Sequence, residues 1–259
     1  MKKIISLFMI LVFTLMLASC GGSVDKTEVK SELENQEVER ITITNARYAG
    51  RYTIIDKKSM DRFVSYLEKV KPAEKSPGLE PDFIFEVYSG NENLGTYKYI
   101  AGVTDSEEGN LMDVNGKMYR ITRNVEDIFM KRLMKKNDLK NVPEYYTSLI
   151  NKIIEKAQIK PGSTVVVDIG KDYAVTKSIT SVEQQSILES VKARDIKIIF
   201  PTDDKKYDHS IEIKTGKYGN TSCEAVVTVK TSDPAVKPIR YEVSGNYKSG
   251  DWEFHIKYK

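Results

Sequence analysis

Phe83-Ile-Phe-Glu-Val-Tyr88 places a large apolar residue at every second position, and a second apolar run, residues 94–100, follows after Ser89-Gly-Asn-Glu-Asn93. Successive side chains of a β-strand point to opposite faces of the sheet, so the alternate apolar residues would share one buried face. The intervening segment is rich in Gly, Asn and Ser, which is typical of a turn. Residues 82–100 therefore predict a β-hairpin.

A second hairpin is predicted farther along the chain. Residues 111–114 and 117–121 have the composition of strands and flank Asn115-Gly116. This dipeptide favours a type I′ turn because Asn and Gly both tolerate positive φ.

Two further strands and two helices complete the first half. Ile41-Thr-Ile43-Thr and residues 51–55 alternate like strands, and apolar residues recur at helical spacing over residues 58–70. A closing helix is predicted over residues 125–134, with cations near its end that complement the helix dipole. The order β-β-α-β-β-β-β-α over residues 40–138 predicts an α+β domain, an antiparallel sheet with helices on one face.

The second half, residues 139–259, predicts another antiparallel-sheet domain with helices on one face. Pro143 suits the first turn of a helix whose apolar stripe continues to Ala157. Ser181-Val-Glu-Gln184 has the form of a capping box that starts a helix over residues 182–191. Strands are predicted over residues 164–169, 173–179, 195–200, 210–214, 223–230, 239–247 and 252–258, the last two as a terminal hairpin.

The two halves share a weak internal similarity. Residues 52–71 align without gaps to residues 173–192 and share a Tyr, a Ser, a Leu, a Glu, a Val and a Lys, although Gln184 and Gln185 fall opposite Phe63 and Val64. One interpretation is a divergent duplication of a ββαβ-type unit. The other is an unrelated second domain, such as a cystatin-like cone or a helix-backed curved sheet. A different strand order in the two halves would exclude the duplication.

The first 20 residues have the organisation of a lipoprotein leader. Lys2 and Lys3 precede an apolar run over residues 4–18, which has the length of a signal peptide. A helix of that length reaches about 22 Å, less than the roughly 30 Å of a bilayer core, so a cleaved signal is favoured over a membrane span. Leu17-Ala18-Ser19-Cys20 resembles the lipobox of bacterial lipoproteins at all four positions.

The lipobox resemblance implies cleavage before Cys20 and a diacylglyceryl group on its sulfur. We therefore expect residues 1–19 to be a signal peptide and the mature chain to be anchored in the cell membrane, facing the extracytoplasmic side. Residues 20–39 hold six acids and two lysines and are expected to form a polar tether, with a helix over residues 26–40 as the alternative. An ordinary secretory signal with an incidental Cys20 is the competing interpretation.

The composition is typical of a well-solvated soluble domain. Charged residues make up 30% of the chain and hydrophobic residues 40%. Loss of Lys2 and Lys3 with the leader lowers the formal net charge from +3 to +1, which gives no support to a nucleic-acid partner. Cys223 is the one cysteine besides Cys20 and is expected to be a packed residue rather than a reactive thiol.

Several segments of the first domain carry a resemblance to a known family. They are Ile41-Thr-Ile43, the helix around Phe63 and Leu67, Pro81-Asp82-Phe83 and Lys117-Met-Tyr119-Arg-Ile121, all behind a lipobox. Together they resemble the YhfM-like lipoproteins of Gram-positive bacteria. The resemblance implies a small lipoprotein domain of unknown function, and it supplies no functional residues to carry over.

The sequence offers little for catalysis or for a cofactor. It contains two histidines, His209 and His255, and no Gly-x-Ser-x-Gly, His-Glu-x-x-His or glycine-rich nucleotide motif. His255 is expected on the surface of the last strand. We therefore predict no catalytic residues, no cofactor and no enzymatic activity.

Two acidic clusters lack the ligand order of a calcium loop and have the composition of solvated turns, so no metal is predicted. They are Asp203, Asp204, Asp208 with His209, and Asp105, Glu107, Glu108 with Asp113.

Aromatic and basic surfaces are the remaining candidates for binding. The chain has 15 tyrosines, and exposed tyrosines can stack on sugars or anchor a protein partner. Tyr48, Tyr52, Tyr145 and Tyr146 are candidates. The basic run over residues 131–140 could contact a polyanion or the membrane, but it also fits a solvated helix C-terminus.

These observations favour a non-catalytic cell-surface binding or accessory module, anchored by the lipid on Cys20, that engages an envelope protein or a cell-wall glycan. An envelope glycan-processing enzyme with a His-independent carboxylate site is one alternative, and it predicts a deep cleft with paired carboxylates. A lipid carrier is another, and it predicts an apolar cavity of several hundred Å³.

Replacing the lipidated thiol tests the anchor. We expect Cys20→Ser to release the protein from membranes and to abolish labelling by a radiolabelled fatty acid, because the hydroxyl does not carry the diacylglyceryl group. Membrane fractionation and autoradiography measure both effects. Unchanged membrane retention would contradict the lipobox interpretation.

Overall fold

The computed structural model describes Val29, Leu33 and residues 36–134, 139–193, 195–201 and 206–259. The predicted leader and Cys20 lie outside these residues. The described chain forms two sheets, of seven and six strands, each with helices on one face. The predicted α+β class is confirmed.

The first sheet is antiparallel throughout and follows the spatial order β2-β1-β4-β5-β6-β7-β3. Its centre is the predicted hairpin, because β4 pairs with both β1 and β5. The strands are β1 Arg40–Asn45, β2 Arg51–Ile54, β3 Lys71–Pro72, β4 Phe83–Ser89, β5 Glu92–Tyr99, β6 Leu111–Met112 and β7 Met118–Arg120.

Helices α1, Lys57–Leu67, and α2, Glu126–Leu133, cover one face of this sheet. Asp56 caps α1 by accepting a hydrogen bond from the Ser59 amide at 2.9 Å. The alternate residues of β4 lie in this core, where the Phe85 ring meets Phe63 edge-on with centroids 5.1 Å apart. Aromatic pairs in this geometry stabilise a core beyond simple area burial.

Val29 and Leu33 lie within the segment predicted to be a polar tether. Both are helical, and both are buried against the first core. Their spacing of four residues places two apolar side chains on one helix face. A solvated tether is therefore the wrong description at these two residues, where the helical alternative holds.

The second hairpin forms, but its turn is not the predicted type I′. Gly116 has a φ of 83°, whereas Asn115 is not among the described residues with positive φ. The Asp113 carboxylate accepts hydrogen bonds from the amides of Asn115 and Lys117, both at 2.9 Å. This side-chain bridge replaces the second left-handed residue that a type I′ turn requires.

The second sheet follows the order β13-β12-β11-β10-β8-β9 and is mixed rather than antiparallel. Strand β8 pairs in parallel with both β9 and β10. The β8–β9 connection contains two short helices, residues 173–176 and 181–189, and therefore has the length that a parallel crossover needs. The strands are β8 Thr164–Asp168, β9 Lys197–Ile199, β10 His209–Tyr218, β11 Ser222–Thr231, β12 Ile239–Lys248 and β13 Asp251–Tyr258.

Helix α3, Val142–Lys156, packs its predicted apolar stripe on this sheet. Two shorter helices follow, α4 Tyr173–Thr176 and α5 Ser181–Glu189. The capping box of α5 is formed by Thr180 and Glu183, one residue earlier than predicted. The predicted strand over residues 173–179 is wrong, because its first residues form α4.

The duplication hypothesis is also wrong. The two sheets have different strand orders, and among the strands that the structure describes, the parallel pairs belong to the second sheet. The aligned segments differ as well, since β2 precedes α1 whereas α4 precedes α5. The second half is an unrelated, helix-backed sheet, which agrees with the other interpretation.

Candidate functional site

The two halves meet at Asp82, the residue that precedes β4. Its Oδ1 accepts hydrogen bonds from Arg47 Nη2 at 2.7 Å, from the Ser181 amide at 2.9 Å and from Ser181 Oγ at 3.1 Å. Its Oδ2 accepts from the Ala101 amide at 2.9 Å. Complete burial raises the pKa of the Asp82 carboxyl, and the Arg47 guanidinium and the two amides offset part of that rise.

Three more hydrogen bonds cross the junction. Arg47 Nη2 donates to the Ile179 carbonyl at 2.7 Å, the Tyr48 hydroxyl donates to the Lys177 carbonyl, and Ser181 Oγ donates to the Glu80 carbonyl at 2.8 Å. Side chains of the first half thus hold the segment between α4 and α5. The Ser181 amide lies in the first turn of α5. Amides in the first turn have no hydrogen-bond acceptor within their own helix.

A cleft of about 450 Å³, called here the junction cleft, opens beside this contact. In open sheets with helical crossovers, ligands bind in the crevice outside the carboxyl ends of parallel strands. The junction cleft has that position, because its walls include the residues that end or follow β8 and β9. The lining residues are Ala46, Arg47, Gly78, Leu79, Glu80, Asp168, Gly170, Lys171, Tyr173, Ser181, Gln184, Phe200 and Pro201.

Two buried donors at the cleft have no hydrogen-bond partner. They are Gln184 Nε2 and Arg47 Nε. Gln184 is only 4% exposed, and the Arg47 side chain is 8% exposed. A buried donor without an acceptor is costly, so an oxygen acceptor that reached either donor would stabilise it.

The remaining lining groups give the cleft a nearly balanced charge. Lys171 pairs with Asp168 at 3.3 Å, and Arg47 pairs with Asp82. The Asp168 carboxylate raises the pKa of Lys171, which stays cationic. Glu80 adds a carboxylate, and Tyr173 is 51% exposed. A neutral or weakly charged ligand with oxygen acceptors fits this combination.

The tyrosines singled out in the sequence do not form this site. Tyr145 and Tyr146 are fully buried, so they cannot serve as exposed anchors. The Tyr146 hydroxyl donates to Asp172 at 2.8 Å, and that carboxylate also accepts from Thr215 Oγ1 at 2.5 Å. Tyr52 is covered by Arg132, and Tyr48 belongs to the junction.

In the two acidic clusters, several of the described side chains form hydrogen bonds or ion pairs with nearby residues. Asp105 Oδ1 accepts from the Glu107 amide at 2.9 Å, and Glu107 forms an ion pair with Lys75. Asp208 Oδ2 accepts from the Thr164 amide at 2.8 Å, whereas Asp203 and Asp204 lie outside the described residues. Within the described ranges, no three His, Cys, Asp or Glu side chains are grouped as metal ligands.

The two histidines and the basic run over residues 131–140 also lie away from this site. His255 is exposed on β13, as predicted, and His209 begins β10. In the basic run, Lys131 and Arg132 occupy the last turn of α2, and residues 135–138 lie outside the described chain. None of these residues lines the junction cleft.

Sequence reasoning missed Arg47, Tyr173 and Gln184. One signal for Gln184 was present, since it falls opposite the core residue Phe63 in the internal alignment. A buried glutamine at an apolar helix position is unusual, and here the residue belongs to the cleft lining.

Residues 34–139 match the model of the YhfM protein family. This part of the chain is a YhfM-like domain. The match spans the first sheet and its two helices, so the YhfM-like domain supplies Arg47, Glu80 and Asp82 to the site. No curated protein and no solved structure matches the chain. Among the described residues, no helix is both long enough and apolar enough for a bilayer crossing.

Removing the Asp82 carboxylate should weaken the fold strongly. We expect Asp82→Ala to lower the free energy of unfolding by about 3–5 kcal/mol, because Arg47 then remains buried without its partner. The control variant Asp61→Ala removes the exposed ion pair with Lys57. It should change the free energy of unfolding by less than about 0.5 kcal/mol. Urea unfolding measures both, and equal effects would contradict the role assigned to Asp82.

Cys223 should resist modification in the folded protein. Its side chain is buried, and burial raises the pKa of its thiol to about 11. At pH 8 the thiol is therefore protonated and enclosed, and we expect alkylation by iodoacetamide only after unfolding in urea. Mass spectrometry measures the labelled fraction. Rapid native labelling would show that the strand packing around Cys223 is wrong.

Proposed function

We propose that this chain is a lipid-anchored, extracytoplasmic binding protein that holds its ligand in the junction cleft and performs no catalysis. The observation that carries the proposal is the pair of buried, unpartnered donors, Gln184 Nε2 and Arg47 Nε, on the cleft wall. A binding module needs such pre-positioned polar groups to orient a ligand. The predicted lipid on Cys20 supplies the membrane partner.

The chemistry of the cleft favours a cell-wall glycan over a protein partner. Hydroxyl and acetamido oxygens would accept hydrogen bonds from Gln184 and Arg47, and the exposed Tyr173 ring offers a face for a sugar. The ion pairs of Lys171 and Arg47 leave little net charge for recognition of a strong anion.

The carboxylates support a binding role rather than an enzymatic one. Asp168 is held by Lys171, and Asp82 accepts four hydrogen bonds away from solvent. A general acid or base must be free to exchange a proton with substrate. The charged groups of the lining also differ from the apolar cavity that a lipid carrier needs.

The anchor would hold the first half close to the membrane. Nine residue steps separate Cys20 from the buried Val29. A fully extended chain spans at most about 3.6 Å per residue, so the buried helix face lies within about 32 Å of the lipidated thiol. This reach suits a module that works beside the membrane.

Glycan binding can be tested with the lipid-free chain that begins at Gly21. We expect it to bind soluble cell-wall oligosaccharides, and we expect Gln184→Leu and Tyr173→Ala each to weaken binding about three- to tenfold, because one removes a donor and the other a stacking face. Isothermal titration calorimetry measures the affinities.

The matched control is Tyr258→Ala, which removes an exposed tyrosine outside the cleft and should leave the affinity unchanged. Equal affinity of the wild-type, Gln184→Leu and Tyr173→Ala proteins would exclude the cleft as the glycan site. Absence of any oligosaccharide binding would exclude the glycan as ligand.

A further inference from the structure

One end of the second sheet exposes an unusual set of apolar side chains. Strands β8, β9, β10 and β12 begin at this end, and β11 and β13 finish there. We call it the basic end. Four of the seven large apolar residues that are exposed in the described chain lie at it: Tyr207, Val236, Ile239 and Tyr258.

Cations surround these apolar residues. Lys160, Lys197, Lys206, Lys237, Arg240 and Lys259 are exposed there. Four exposed acids of the described residues share this end: Asp195, Asp208, Asp233 and Glu242. Glu242 pairs with Lys259 at 3.3 Å. The six cations outnumber these four acids.

The apolar residues come from separate segments that the sheet brings together. Tyr207 precedes β10, and Val236 lies in the turn before β12. Ile239 opens β12, and Tyr258 closes β13, where its ring contacts Tyr241 at 5.2 Å and lies beside the Lys156 ammonium. The strand pairing therefore places these four residues at the same end of the sheet.

We propose that the basic end docks on an anionic bilayer surface. Tyr rings and aliphatic side chains insert at the headgroup level, and the surrounding lysines and arginine are attracted to anionic lipids. The charge complementarity favours an anionic leaflet, and the apolar tips favour a bilayer over a soluble polyanion. This contact does not require the lipid on Cys20.

Docking in this way would orient the junction cleft. Strand β8 starts at the basic end with Thr164, and it finishes with Asp168 in the cleft wall. The two surfaces thus lie at opposite ends of the same strand. A molecule resting on the membrane through the basic end presents its cleft toward the cell wall.

Vesicle sedimentation of the lipid-free chain from Gly21 tests the proposal. We expect binding to vesicles that mix phosphatidylglycerol with phosphatidylcholine and little binding to phosphatidylcholine alone, with a loss at high salt. The double variant Lys237→Glu/Arg240→Glu should bind at least about tenfold more weakly. Val236→Ser/Tyr258→Ser should also lose affinity.

The matched control reverses two exposed lysines at the opposite end of the sheet, Lys217→Glu/Lys248→Glu, and changes the net charge equally. It should bind like the wild-type chain, and the fluorescence of Trp252 should confirm that every variant is folded. Equal losses in the control and the Lys237/Arg240 variant would show net-charge attraction alone and overturn the proposal. Failure to bind the anionic vesicles would overturn it directly.

A third result would identify a different partner. If the cation variant loses affinity but Val236→Ser/Tyr258→Ser does not, the apolar tips do not enter a bilayer, and the basic end recognises a soluble polyanion instead. None of these outcomes bears on glycan binding in the cleft, so the two proposals fail separately.

Discussion

The buried carboxylate of Asp82 is the constraint on which the arrangement of the two halves depends. It accepts hydrogen bonds from a guanidinium, two backbone amides and a hydroxyl. These donors come from three separate parts of the chain. A buried charge is tolerated only when its partners satisfy it. Arg47 and Ser181 must therefore stay in place, and the relative position of the YhfM-like domain and α5 follows from that requirement.

The same contact shapes the candidate site. Arg47 Nη2 donates to Asp82 and to the Ile179 carbonyl, whereas Nε of the same side chain is buried without a partner. Gln184 lies one helical turn beyond Ser181, so anchoring Ser181 also positions the glutamine amide. The parallel strands β8 and β9 supply the opposite wall through the residues at their carboxyl ends. Ligand recognition and domain docking thus share residues.

Local patterns predicted most individual elements but not their assembly. The hairpin of β4 and β5, the helix α1 and the stripe of α3 follow from apolar periodicity, which neighbouring residues alone determine. Parallel pairing of β8 joins segments far apart in sequence and leaves no local pattern. Residues 173–176 form a helix turn because the tertiary fold overrides their strand-like composition.

The cleft was not predictable from local patterns, because Arg47 and Gln184 come together only after both sheets have formed. The lipidation of Cys20 stays a prediction.

Amide hydrogen exchange at Ser181 tests the role of Asp82 most directly. This amide lies in the first turn of α5 and has no acceptor in its own helix, so the Asp82 carboxylate from the other half is its partner. The account predicts that it exchanges as slowly as the central amides of β1 and β4, such as Ile43 and Phe85. Exchange at the rate of an exposed, unpaired amide would contradict the account, because it would show that the two halves are not joined through Asp82.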